Sequence, residues 1–248
     1  HMRRLSLSLS ALLFLPAAVS SQSLFEDFLG SSINEKVWWT WGNMSASSVG
    51  NSTWNLKLPQ DSDFGITSMG CWRGDFDFVV DFKNFTPTGT NSVWAHFNLM
   101  VIGAKGPLDP MNALQVGISG NSNLRVFFTA ATKLGKDHGS NGVPGKGNAG
   151  ELRLRRSLAT KTVEALYRPS GQLAWSTLKT WVDWLPELVL LDVEGWAGPG
   201  ATLSVSSDKL YTLNKPLSSY ENFGSGCHAL RARPFSLPYY GNQHFGIF

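Results

Sequence analysis

The sequence predicts an all-β fold, a two-sheet antiparallel jelly-roll sandwich, and three observations predict it. Apolar and polar residues alternate with a period of two in short runs. Those runs are bounded by Gly, Pro, Asn and Ser, and no stretch shows a sustained helical period. The 248-residue chain is poor in charged residues (16%) and rich in aromatic ones (12%), with 25 glycines; an average soluble domain carries about 25% charge. Such a composition suits short strands, many turns and a near-neutral surface.

The clearest strand is Gly74 to Phe82, GDFDFVVDF. Successive strand side chains point to opposite faces, so Phe76, Phe78, Val80 and Phe82 share one face and Asp75, Asp77, Val79 and Asp81 the other. The aromatic row must face a core and the aspartate row water or a ligand. The next strand spans Ser92 to Ile102, with Ala95, Phe97, Leu99 and Val101 in one row and Trp94, His96, Asn98 and Met100 in the other. Leu114 to Ile118 and Leu124 to Thr129 flank the turn Gly120-Asn121-Ser122-Asn123 and form a hairpin. Glu151 to Arg156 and Thr162 to Arg168 form a second one. Leu188 to Glu194 and Ala201 to Ser206 flank the turn Gly195 to Gly200. Lys133 to Gly150 holds six glycines and reads as an exposed loop; its Gly145-Lys146 lacks the spacing of a phosphate-binding loop.

The ends differ from the middle. Residues 1–20 read as a cloning remnant, His1-Met2, followed by a secretory signal peptide: Arg3-Arg4, the apolar run Leu5 to Leu15, and small residues through Ser20. The run is too short for the ~20 residues of a spanning helix, and no later stretch could cross a bilayer. The expected location is therefore secreted or extracellular. Residues 21–215 form the sandwich, and 216–248 a C-terminal arm or the truncated start of a second β domain. The net charge is +3, with Arg3, Arg4, Arg231 and Arg233 in the ends and no basic stripe between them, which excludes nucleic acid as a partner. Cys71 and Cys227 are the two cysteines; in an oxidising compartment they could pair, or Cys227 could belong with another domain.

Phe25-Glu26-Asp27-Phe28 with Asn34 to Trp38, the GDFDFVVDF strand, and Leu152-Arg153-Leu154-Arg155-Arg156 with Thr162 to Tyr167 resemble motifs of concanavalin A-like lectin/glucanase domains. The resemblance covers roughly residues 22 to 215, leans towards laminin G-like sandwiches and bacterial extracellular domains, and rests on structural motifs. Phe223-Gly224-Ser225-Gly226-Cys227 resembles the start of a small C-terminal β domain of some bacterial secreted proteins, which implies a larger multidomain protein. The resemblance implies two antiparallel sheets, one concave, with ligands across the concave face or at rim loops. It also implies that no cofactor is required, while a structural calcium ion is an allowed addition, with Asp27 and Asp192 as candidate ligands.

The first functional expectation is binding of a glycan or polysaccharide. Sugar C–H faces stack on aromatic rings, and an indole couples an apolar face to a polar N–H. Trp38, Trp39 and Trp41 cluster near the first strand, with Trp39 and Trp41 on one face. The candidate platform is Trp72, Asp75, Asp77, Trp94, His96 and Asn98, with two or three of the ten tryptophans exposed. The second expectation is a glycoside hydrolase or polysaccharide lyase on the same fold. Hydrolases of this architecture carry E-x-D-x-(x)-E on one strand; Asp75, Asp77 and Asp81 offer no Glu, so no catalytic residue is assigned. No zinc spacing and no G-x-S-x-G elbow occur. The third is an extracellular structural or adhesive protein that binds another protein.

Overall fold

The computed structural model describes residues 22–213, apart from 91, 104–111, 135 and 187, together with 220–221. The leader and Cys227 lie outside the described residues, as does all of the 216–248 arm except Tyr220 and Glu221. In chain order the elements are β1 (Gln22–Glu26), β2 (Trp38–Gly42), a 3-10 turn (Met44–Ala46), β3 (Ser47–Gly50), β4 (Thr53–Leu58), β5 (Ser62–Ser68) and β6 (Cys71–Arg73). There follow β7 (Phe76–Pro87), β8 (Ala95–Gly103), β9 (Asn112–Gly120), β10 (Arg125–Lys133), β11 (Lys136–Pro144) and β12 (Gly150–Ser157). The last are β13 (Thr162–Pro169), β14 (Ser176–Val182), β15 (Leu188–Ala197), β16 (Leu203–Ser207), β17 (Leu210–Leu213) and β18 (Tyr220–Glu221).

Two antiparallel sheets result. The first runs β14-β13-β12-β7-β16-β4-β3, with β17 also beside β7 and β1 beside β17. The second runs β11-β10-β9-β8-β15-β5-β2, with β6 beside β15 and β18 beside β6. The long β7 is shared: its Phe78–Val80 stretch pairs with β17 and its Lys83–Pro87 stretch with β16. Between the sheets, Phe76, Phe78, Val80 and Phe82 of β7 meet Ala95, Phe97, Leu99 and Val101 of β8 in one buried cluster. Among the described residues, no helix is long and apolar enough to cross a membrane.

The predicted sandwich is therefore the observed one, with three local corrections. The aspartates of β7 face away from the core, yet Asp77 and Asp81 are buried rather than wet. Arg153 Nε and Nη2 each donate to Asp77 at 2.6 Å. Ser207 Oγ and the backbone N–H groups of Asp208 and Lys209 each donate to Asp81 Oδ1 at 2.9 Å. A carboxylate tolerates burial when donors saturate its lone pairs, and here β12 and the β16–β17 turn bring those donors. The glycine-rich 133–150 stretch holds β11 and is not simply a loop; as an edge strand it bonds to β10 alone and keeps its polar side chains outside. Trp181, which stands in a loop-like stretch of the sequence before Pro186, lies within β14 and is buried in the core cluster. Cys71 is disulfide-bonded.

Candidate functional site

A second face collects the polar and aromatic residues that the core rejects: the outer face of the second sheet. Strand register builds it in rows. Trp196 of β15 sits opposite His96 of β8, Glu194 opposite Asn98, and Asp192 opposite Met100. On the other flank of β15, Asp63, Gly65 and Thr67 of β5 face Trp196, Glu194 and Asp192. Trp41 and Trp39 of β2 extend the Gly65 and Thr67 rows. Gln115, Gly117 and Ser119 of β9 face Met100, Asn98 and His96. Because the alternation of β8 and β15 sends Phe97, Leu99 and Val193 into the core, these partners must point outward.

Two glycines let rings lie down on this face. A Cβ at Gly65 would sit 2.3 Å from Trp41 Cζ2, so the indole lies over bare backbone. A Cβ at Gly117 would sit 2.5 Å from Phe128 Cε1 and 2.9 Å from Asn98 Cβ. His96 stacks on Trp196 with 5.0 Å between ring centroids and meets Phe128 edge-on at 5.8 Å. Glu194 and Asn98 thus lie between the Trp41 ring and the His96, Trp196 and Phe128 rings.

The polar groups form two hydrogen-bonded clusters, one around Asn98 and one around Asp192. Asn98 Nδ2 donates to Gln115 Oε1 at 2.7 Å and to Glu194 Oε1 at 3.1 Å. His96 Nε2 lies 3.8 Å from Glu194 Oε1. Thr67 Oγ1 donates to Asp192 Oδ2 at 2.5 Å, and Trp41 Nε1 is shared between Thr67 Oγ1 at 3.1 Å and Asp192 Oδ2 at 3.2 Å. Asn98 Oδ1 and Asp192 Oδ1 are buried acceptors without a partner. Burial first, then the nearby Glu194 carboxylate, raises the Asp192 pKa well above the ordinary carboxylate value, against the two hydrogen bonds it accepts. Asp63 is raised for the same two leading reasons.

The six residues expected to form one platform are not brought together. His96 and Asn98 belong to the outer face of the second sheet, and half-buried Trp94 directly precedes β8, its carbonyl accepting the Gly198 N–H. Asp77 lies on the opposite, first sheet, and Asp75 just before its β7, accepting the Leu158 N–H at 2.5 Å. Trp72 is not on a polar face: it is 2% exposed in the core, edge-on to Phe78 at 4.7 Å. Of the ten tryptophans, only Trp39 is clearly exposed, at 44%, while Trp41, Trp94, Trp175, Trp184 and Trp196 are half-buried. The reading of the sequence named Asp192 only as a candidate calcium ligand and missed its pairing with Glu194 in Asp192-Val193-Glu194. This alternation puts two carboxyls on one strand face, in the strand already recognised as Leu188 to Glu194, with Leu190 where a first Glu would complete the hydrolase pattern.

Asp27 and Asp192, the two candidate calcium ligands, are not brought together: Asp27 follows β1 of the first sheet and accepts the Leu29 N–H at 3.1 Å, whereas Asp192 is in the second sheet and accepts from Thr67 Oγ1 and Trp41 Nε1. Among the described residues, no group of three His, Cys, Asp or Glu is placed to hold a metal.

No protein-family model matches the sequence, and no curated protein matches it. Solved structures do match in fold. The VIP36 exoplasmic/lumenal domain in its Ca2+/Man3GlcNAc-bound form aligns with a TM-score of 0.54 at 12% identity, over 78% of this chain and 88% of that one. Lectin UEA-II complexed with galactose aligns with a TM-score of 0.51 at 11% identity, over 80% and 99%. The Bacteroides ovatus xyloglucan PUL GH43B aligns with a TM-score of 0.53 at 12% identity, over 78% of this chain and 39% of that one. The chain has the fold of lectin-like, concanavalin A-like sandwiches.

Proposed function

We propose that this protein is a carbohydrate-binding β-sandwich whose ligand lies across the outer face of the second sheet. The observation that carries the reading is the pairing of rings laid flat over glycine with side-chain acceptors beside them. Trp41 over Gly65 and the His96–Trp196 stack offer apolar platforms, and Glu194, held from below by the buried Asn98, offers a partly exposed carboxylate between them. A pyranose ring presents a C–H face and a rim of hydroxyls, and this arrangement matches both. The lectin-like fold of the sugar-bound neighbours supports the same reading. Secretion belongs to the proposal too: the Arg3-Arg4 leader and a disulfide-bonded Cys71 both suit an oxidising exterior.

A second reading, hydrolysis of a glycosidic bond, is favoured by one observation, the Asp192 and Glu194 pair. Residues two apart on a strand stand about 6.6 Å apart at Cα, near the ~5–5.5 Å between carboxyls of retaining glycosidases. Against it, Asp192 is 0% exposed, so no glycosidic oxygen reaches it without movement of its cover. Binding therefore ranks first.

The test is a glycan array followed by calorimetry on each hit. Glu194→Gln and Trp41→Ala are each expected to weaken binding about tenfold, as loss of a charged hydrogen bond or a stacked ring does. Asp75→Asn with Asp77→Asn should leave it unchanged. Unaltered affinity in Glu194→Gln and Trp41→Ala removes the ligand from this face, and release of reducing ends from a bound oligosaccharide promotes the hydrolase reading.

A further inference from the structure

On the other side of β2 from Trp39 and Trp41, the sandwich has an opening. β2 is the last strand of the second sheet and β3 the last of the first, and residues from the chain between β1 and β2 line the space beside them. Between them lies a pocket of about 170 Å³. Its apolar floor includes Phe64 and Ile33, both buried in the main core. Its walls carry Ser31, Ser32, Glu35, Thr40 and Ser48.

The chemistry of the walls is unlike that of a packing defect. Thr40 shares the inward alternation of Trp38, a place where a sandwich edge is ordinarily sealed by an apolar side chain. The four hydroxyls and the Glu35 carboxylate make no hydrogen bond to another described residue, so their donors and acceptors are available inside the mouth. Ser47 is also at the wall; its Oγ accepts the Trp54 Nε1–H at 2.9 Å, which leaves the Ser47 hydroxyl hydrogen to donate. Hydroxyls that both give and accept, one carboxylate able to take two neighbouring O–H groups, and an apolar floor together match a polyhydroxylated ring. The volume is below the ~300 Å³ at which pockets for drug-sized ligands begin, which admits one pyranose ring and excludes a disaccharide.

We propose that this rim pocket is a second sugar site that holds a single pyranose ring, a chain end or a branch. It deepens the reading of a glycan-binding protein, but β2 separates it from the outer face, so the two can fail independently. The experiment is backbone-amide NMR on the full chain, titrated with the methyl glycosides of glucose, galactose, mannose and xylose. With at least one of them, millimolar ligand is expected to shift the amides of residues 31–35 and 47–49. Ser48→Phe, which closes the mouth from an exposed position, should abolish those shifts, and the near-isosteric Thr40→Val should weaken them several-fold. No shift at these amides with any of the four glycosides overturns the proposal, as do shifts that persist unchanged in both variants. In Glu194→Gln the pocket shifts should remain; if oligosaccharide binding never maps to the outer face while they do, the outer-face reading falls and the pocket stands.

Discussion

Asp192 and Asp77 are both carboxyls removed from water, and they are accommodated in opposite ways. Asp77 is met by a two-pronged ion pair with Arg153, whose guanidinium in turn lies 5.2 Å from the Trp175 ring centroid. Removing only Arg153 strands a buried anion. Arg153→Ala is therefore expected to cost about 3–5 kcal/mol in urea unfolding, while Arg153→Met with Asp77→Leu recovers most of that loss. Glycan affinity should not change in the double variant, since both residues belong to the other sheet. Among the described residues no cation pairs with Asp192, and burial favours its neutral form. A carboxyl whose folded pKa lies above its unfolded value of 3.8 binds its proton more tightly in the native state. Its contribution is full below the unfolded value, declines as pH rises towards the folded pKa, and is gone above it. Asp192→Asn should thus raise the melting temperature at neutral pH and flatten part of the fall between acid and neutral pH. Parallel melting-temperature profiles for variant and parent across that range would sink the assignment.

Strands are where the sequence was most readable and where the site was hidden. The alternation of Phe76, Phe78, Val80 and Phe82 fixed β7, and that of Ala95, Phe97, Leu99 and Val101 fixed β8, because period two is a property of one strand alone. Which strands lie side by side is not such a property. Asp75 and His96 look close along the chain, yet the sandwich sends their strands to different sheets, whereas Trp41 and Asp192, 151 residues apart, share a hydrogen bond. The edge strand β11 was hidden for another reason: its glycines and polar residues carry no alternation, and only backbone bonding to β10 makes it a strand. That bonding leaves it little buried area, so its amides should exchange with deuterium faster than those of β8 and β15, as mass spectrometry of peptides from 136–144 would read. In β5 the decisive residue is a glycine. Gly65→Ala should lift Trp41 off the sheet, change tryptophan fluorescence and weaken glycan binding about tenfold, as loss of a stacked ring does, with the global fold retained because Trp41 is on an edge strand. Unchanged fluorescence would mean that the indole does not rest there.

At the scale of the molecule, residues 188–213 hold both layers together. β15 joins β8 on one side to β5 on the other, so without it β5 and β2 lose their place in the second sheet. β16 likewise joins β7 to β4, and β17 joins β7 to β1. Each sheet is thus completed only by strands made late in the chain, paired with partners from its first half. Two consequences follow from the loops that must close before those pairings gain anything. Refolding should be slow for a domain of this size, in the millisecond-to-second range of sandwiches and not the microsecond range of helical bundles. A chain ending at residue 186 retains the β7 to β14 strands but has no element to bridge them to β2–β5, and should show neither near-ultraviolet circular dichroism nor dispersed amide resonances. If that shortened chain instead unfolds cooperatively with a core of its own, the centre of the fold is the β7–β14 unit, and β15 to β17 are an addition to it. In that case the outer-face site, which draws Asp192, Glu194 and Trp196 from β15, is separable from the stability of the sandwich.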